Sequence, residues 1–190
     1  DTLTDCGGCN DPCSVANGTP SCSTGTCEVS DCNNGYCDAD NDPLTGCELD
    51  LDTNPACGSF IDMGSVDGDG GGGTQTAIAS GERWFRVYAA EGNSGTGGDD
   101  MKVRITLTGI PAGMNYDLYT YRNDCTSNAK SSTNGSNNNE STNYQWGESE
   151  CGLCFANGEE DGRYIYINVR FVSGDTCATD YTLTVTGNAL

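Results

Sequence analysis

From residue 83 onward the chain repeatedly alternates apolar and polar side chains with a period of two. In "MKVRITLTGI", Val103, Ile105 and Leu107 fall on one side while Lys102, Arg104 and Thr106 fall on the other. "RYIYINVRF" repeats the arrangement with Ile165, Ile167, Val169 and Phe171, and "RWFRVYAA", "YDLYTYR" and "DYTLTVTG" are equally rich in Val, Ile, Thr and aromatic residues. Such runs suit pleated strands with one packed and one wet face, and together they predict a two-sheet sandwich. Gly-, Asn- and Ser-rich stretches separate them, the longest being "SSTNGSNNNESTN". No window of useful length carries helical periodicity.

The first 58 or so residues follow no such pattern. They are Cys, Asp, Asn and Gly with hardly any large apolar side chain. A segment so poor in Leu, Ile and Phe cannot build a sufficient hydrophobic core, so covalent staples must replace one. The expected organisation is mainly β, with a disulfide-rich irregular module over 1–58 and a Gly/Asp-rich linker or first strand over 59–75. An antiparallel β-sandwich then occupies 76–190.

Thirteen cysteines and no histidine narrow the picture. Cys6, Cys9, Cys13, Cys22, Cys27, Cys32, Cys37, Cys47 and Cys57 lie in the module; Cys125, Cys151, Cys154 and Cys177 lie in the sandwich. This density predicts disulfides and an extracellular or cell-surface location. Zinc is the rival, since Cys6/Cys9 and Cys9/Cys13 have ligand-like spacing. The chain opens without Met and shows no long apolar run, which reads as a mature secreted chain without membrane insertion. Four sandwich cysteines suffice for two internal bridges, with Cys125–Cys177 the expected pair. Nine in the module leave at least one to be free, bridged into the sandwich, or bonded to another chain.

One segment begins twice. Asp1, Thr2, Cys6 and Gly7 of "DTLTDCGG" recur as Asp52, Thr53, Cys57 and Gly58 of "DTNPACGS". One complete repeat followed by the start of another predicts head-to-tail assembly with further copies of the chain, each completing its neighbour's motif.

The net charge of −20 excludes nucleic acid as a partner, because phosphates need Lys and Arg to displace counterions. No Lys or Arg precedes Arg83, whereas fifteen Asp and Glu do. Calcium is the expected structural cofactor for such a stretch. In "CDADNDPLTGCELDLD", Asp38, Asp40 and Asp42 place alternate carboxylates around one point, and Glu48 can close the shell. Strict EF-hand grammar fails, since Pro43 holds the place of the glycine and Leu49 that of the closing acid. Asp67 and Asp69 in "SVDGDGGGG" form a second candidate, or else a flexible linker between the halves. Asp99/Asp100 and Glu159/Glu160/Asp161 rank lower.

Without histidine, nucleophile–histidine catalysis and histidine-ligated metal catalysis are both excluded. Glu148 and Glu150 beside Trp146 are the best carboxylate pair for glycoside hydrolysis, but a solvated acidic loop explains them as well. Tyr119/Tyr121 and Tyr164/Tyr166 share faces at two-residue spacing, suited either to stacking on a cell-surface glycan or to cross-strand packing. Asn17, Asn134 and Asn139 head glycosylation triplets in loop-like sequence.

Two stretches resemble known families. "CGGCNDPCSVANGTPSCSTGTCEVSDCNNGYCDADNDPLTGCELDLDT" is similar to the tandem Cys-rich repeat of secreted myxobacterial-type surface proteins. It differs in placing Cys37 directly after Tyr36, so disulfide pairing does not carry over. From residue 60 to 190, "SGERWFRVYAAEG", "MKVRITLTGI", "YDLYTYR" and "YTLTVTG" resemble in order the bacterial pre-peptidase C-terminal (PPC) domain. That resemblance implies a jelly-roll-like sandwich in an accessory role, although no protease precedes it here. The expected function is therefore a secreted, non-enzymatic structural or adhesive surface protein, assembling into a filament held by disulfides and calcium. The alternative is an accessory module targeting a secreted hydrolase to polysaccharide or cell wall.

Overall fold

Among the described residues of the front module, strand pairing is confined to two short ladders. Strand β1 (Gly18–Ser21) pairs with β2 (Glu28–Cys32), and β3 (Tyr36–Cys37) with β4 (Leu49–Asp50). The computed structural model describes residues 2–8, 10–92, 100–147, 160–174, 176–177 and 180–190. Bridges Cys6–Cys22, Cys13–Cys27 and Cys32–Cys47 hold the module internally. Its buried apolar residues among those described are five cysteines and Leu51. Sulfur takes the place that Leu and Ile occupy elsewhere.

Among the described residues nine strands follow: β5 (Phe60–Asp67), β6 (Thr74–Ala79), β7 (Arg83–Ala90), β8 (Met101–Thr108), β9 (Asn115–Arg122), β10 (Lys130–Ser132), β11 (Glu140–Trp146), β12 (Arg163–Ser173) and β13 (Tyr181–Gly187). They form sheets ordered β11-β8-β13-β6 and β10-β9-β12-β7-β5. From β6 to β13 successive strands change sheet at every step except β9 to β10, which is the eight-stranded jelly-roll order. Strand β5 is an addition. It runs parallel to β7, because the chain crosses to the other sheet for β6 and returns in the same direction. All other pairs are antiparallel.

The alternation read from sequence sorts the faces as expected. Val103, Ile105 and Leu107 meet Ile165, Ile167 and Val169 in one fully buried core. At one end the Tyr181 hydroxyl donates to the Gly81 carbonyl while the Gly81 N–H donates to the Tyr116 hydroxyl. Gly81 has φ +63°, a left-handed conformation that costs glycine little. Burial pushes the Tyr116 hydroxyl pKa up to about 12.

Module and sandwich are sewn together. Leu51, 1% exposed, belongs to the sandwich core. The Glu82 N–H donates to the Leu51 carbonyl, and the Gly35 N–H to the Gly174 carbonyl. Two bridges seal this seam, Cys37–Cys177 and Cys57–Cys125. Between them residues 52–59 form a strap over the outer face of the five-stranded sheet, where the Pro55 carbonyl accepts from the Trp84 indole N–H.

These bonds correct one expectation and decide between alternatives in two others. Cys125 and Cys177 do not pair with each other; each reaches back into the module, because the loops carrying them lie against it. Cys57 is bridged within its own chain, so the interrupted repeat is closed by the sandwich. Of the two readings of 59–75, linker or first strand, a strand is what the stretch contains. It supplies β5 and an ordered turn, with the Asp67 N–H donating to the Gly72 carbonyl and the Lys102 N–H to that of Gly68. Cys9, Cys151 and Cys154 lie outside the described residues.

Candidate functional site

The 38–48 loop hangs from two bridges, with Cys37 tied to Cys177 and Cys47 to Cys32. Short acidic side chains shape it by accepting backbone N–H groups a few residues on, the bonding that makes Asp and Asn turn residues. Asp38 accepts from the Asn41 N–H at 2.6 Å, Asp40 from that of Asp42 at 3.0 Å, and Asp42 from that of Leu44 at 2.9 Å. The Thr45 hydroxyl donates to Asp40, and Glu48 reaches back to accept the Ala39 N–H. Gly46, at φ +75°, presses so closely on Ala16 that a Cβ would lie 2.6 Å from its carbonyl oxygen.

The outcome is a carboxylate cluster. Oxygens of Asp38, Asp40 and Glu48 lie within 4.8 Å of one another. Asp42, the fourth residue expected there, is outside the group, its carboxylate serving its own turn. Three hard oxygens supply part of the six to eight that calcium takes, leaving the remainder to backbone carbonyls and water. At the tip Leu44 is 91% exposed. A cleft of about 520 Å³ beside it is walled by Cys6, Asp11, Pro12, Cys27, Pro43 and Leu44.

Asp67 and Asp69 are placed differently. The Asp67 carboxylate accepts the N–H groups of Asp69, Gly70 and Gly71. Burial pushes its pKa up, but the Gly70, Gly71 and Asp69 hydrogen bonds outweigh it and the carboxyl sits below its usual range. Asp69 is buried and accepts the Gly92 N–H at 2.7 Å. This pair organises the β5–β6 turn.

On the outer face of the five-stranded sheet the tyrosine pairs come together with residues that spacing alone did not connect. Tyr164 lies 5.0 Å from Tyr88 and 6.4 Å from Tyr166, and Phe60 meets Tyr166 edge-on. Arg86 lies 4.2 Å from the Phe60 ring and 4.4 Å from the Tyr164 ring while ion-paired with Asp62. Arg170 covers Tyr119 at 4.2 Å. Tyr121 stacks on Trp84, and both are buried. Much of this aromatic area is therefore spent on cross-strand and cation–π contacts.

Asn17, Asn134 and Asn139 are themselves exposed, but Glu140 of the third triplet is buried. The Asn17 amide donates to the Cys47 carbonyl, and the Asn134 amide to the Asn139 carbonyl and Glu140. Glu148, Glu150, Asp99 and Glu159 lie outside the described residues. Asp100 accepts from the Gln145 amide, Glu160 from the Gly162 N–H, and Asp161 pairs with Arg163.

Two buried carboxylates escaped the sequence reading. Glu140 accepts from the Ser132 hydroxyl and from both the N–H and the amide of Asn134. Glu82 sits at the seam, beside Asn168 and the Phe171 N–H. A signal for Glu140 existed, since Glu140, Thr142 and Tyr144 share the inward side of an alternating run. No protein-family model matches the chain, and no curated protein matches it at a significant level.

Proposed function

We propose that this chain is an extracellular, non-catalytic structural and adhesive module of a cell surface, stiffened by disulfides and by calcium in the 38–48 loop. The observation that carries this reading is the covalent seam. Two bridges, of sequence separation 140 and 68, bind a core-poor module to a jelly roll. Such cross-links persist in an oxidising environment. The lack of histidine, the acidic charge and the resemblance to bacterial surface repeats and PPC domains support it. Antibody labelling of intact cells and of their medium tests the location. Outer-surface label on oxidised protein is expected; confinement of reduced protein to the cell interior would overturn the reading.

Head-to-tail assembly into a filament remains part of the proposal, but Cys57 has no role in it, since Cys125 of the same chain is its partner. Ordered polymers by negative-stain microscopy would support it, and a uniform monomer in both microscopy and non-reducing electrophoresis would remove it.

The second reading is an accessory module that binds polysaccharide through the aromatic face. Tyr88, Tyr164 and Tyr166 favour it, while the guanidinium of Arg86 on Phe60 and Tyr164 counts against it. Pull-down on insoluble glycans, lost in Y88A/Y166A, would place this reading first.

A further inference from the structure

We infer that Cys37–Cys177 lets tension along the chain bypass the jelly roll, so that the folded sandwich is carried as a passenger on a covalent line. The bridge joins residues 140 apart in sequence. Seven of the eight jelly-roll strands, β6 to β12, lie inside the loop it closes, as does β5. A pull applied on either side of this stretch follows the shortest covalent route. It crosses from Cys6 to Cys22, runs along β2 to Cys37, crosses to Cys177 and continues down β13.

Strands β2, β3 and β13 on that route are already extended, which leaves little slack to draw out. Strand β13 lies between β8 and β6 and is held at both ends of the line, so tension runs along its axis. Peeling a strand from a sheet requires a load that enters at one end with free chain behind it. Here the chain behind Cys177 is excluded from the load. Forced unfolding is governed by the rate of crossing the barrier under load. Strands β5 to β12 receive none of that load while the bridge is closed.

Without the bridge the route changes. It passes from Cys32 to Cys47, along the strap to Cys57, across to Cys125 and then through β10, β11 and β12 to residue 177. That path is longer by about 57 residues, or about 200 Å of contour length at about 3.5 Å per residue. Opening Cys57–Cys125 as well raises the gain to about 125 residues, about 440 Å. The inference stands on bond connectivity and goes beyond the surface reading. Failure of the extension test would leave the cellular location untouched, and an interior location would leave the bypass intact.

The experiment is single-molecule stretching of the full chain between handles at its two ends. Oxidised wild type is expected to show no step larger than about 120 Å, the whole contour of the bypass route. C37S/C177S should release about 200 Å in sandwich-sized steps, and the further change C57S/C125S about 440 Å. Should these variants fail to fold, dithiothreitol added to wild type already under load gives the same lengthening from a native start. Steps of 200 Å or more in oxidised wild type, or no lengthening after both substitution and reduction, would overturn the inference.

Discussion

Glu140 faces the interior of the sandwich with 0% exposure and three donors directed at its carboxylate. Glutamine there would turn an amide toward at least one of those donors. E140Q is expected to destabilise the fold by about 1–3 kcal/mol in chemical denaturation, the usual cost of a buried polar group left unpaired. The charge also has a pH signature. Burial raises the Glu140 pKa and Asp117 adds to it, while the Ser132 and Asn134 bonds only partly offset them; Glu82 is raised chiefly by burial. The folded state then holds these protons more tightly than the unfolded one. Stability therefore falls as pH climbs above about 4.5 through the folded values, and E140Q should flatten that slope. Asp124 behaves oppositely. Hydrogen bonds from Ser127 and Thr126 lower its pKa, so its contribution is lost in strong acid. Inward-facing Glu140 was legible in the alternation of β11, but its donors come from a loop whose path no periodicity reports.

At the scale of elements, the 38–48 loop and the strap make separate predictions. If the loop binds calcium through Asp38, Asp40 and Glu48, saturating calcium at about 100 times Kd adds about 2.7 kcal/mol. For a chain of this size that raises Tm by about 5–10 °C, a shift that calorimetry should find in wild type and not in D38N/D40N. An equal shift in both proteins would remove calcium from this loop. Opening the strap with C57S/C125S should cost about 4 kcal/mol in the chain-entropy picture for a 68-residue loop. It should also red-shift Trp84 fluorescence, since the indole loses the Pro55 carbonyl and its cover. Spacing showed where the acids could gather because turn bonding is local. The strap was not legible, because nothing in "DTNPACGS" reports that its cysteine closes on residue 125. Strand β5 stayed open between linker and strand for a related reason: its partner β7 pairs in parallel, a long-range choice made by the crossover through β6.

For the whole molecule, the two parts should answer a reductant differently. The sandwich rests on a continuous core from Phe85 to Val185, the module on sulfur. With thiol present, proteolysis should cut freely within residues 10–50 and spare residues 60–90 and 163–173; equal resistance throughout would contradict the sulfur-held reading. A two-sheet sandwich could be anticipated because period-two alternation is written into strands such as β8 and β12, whereas the jelly-roll order was implied only by a family resemblance. The seam could not, because pairings separated by 140 residues leave no trace in local spacing. On the proposed surface location, that distance has a consequence during export. Cys37 emerges long before its partner, in the company of Cys32 and Cys47, and must avoid them until the closing strands of the roll arrive. An early wrong pairing would have to be undone by thiolate exchange, so maturation should depend on an isomerase and not on an oxidant alone. Pulse-labelled protein followed in cells lacking that isomerase should accumulate with Cys177 unpaired.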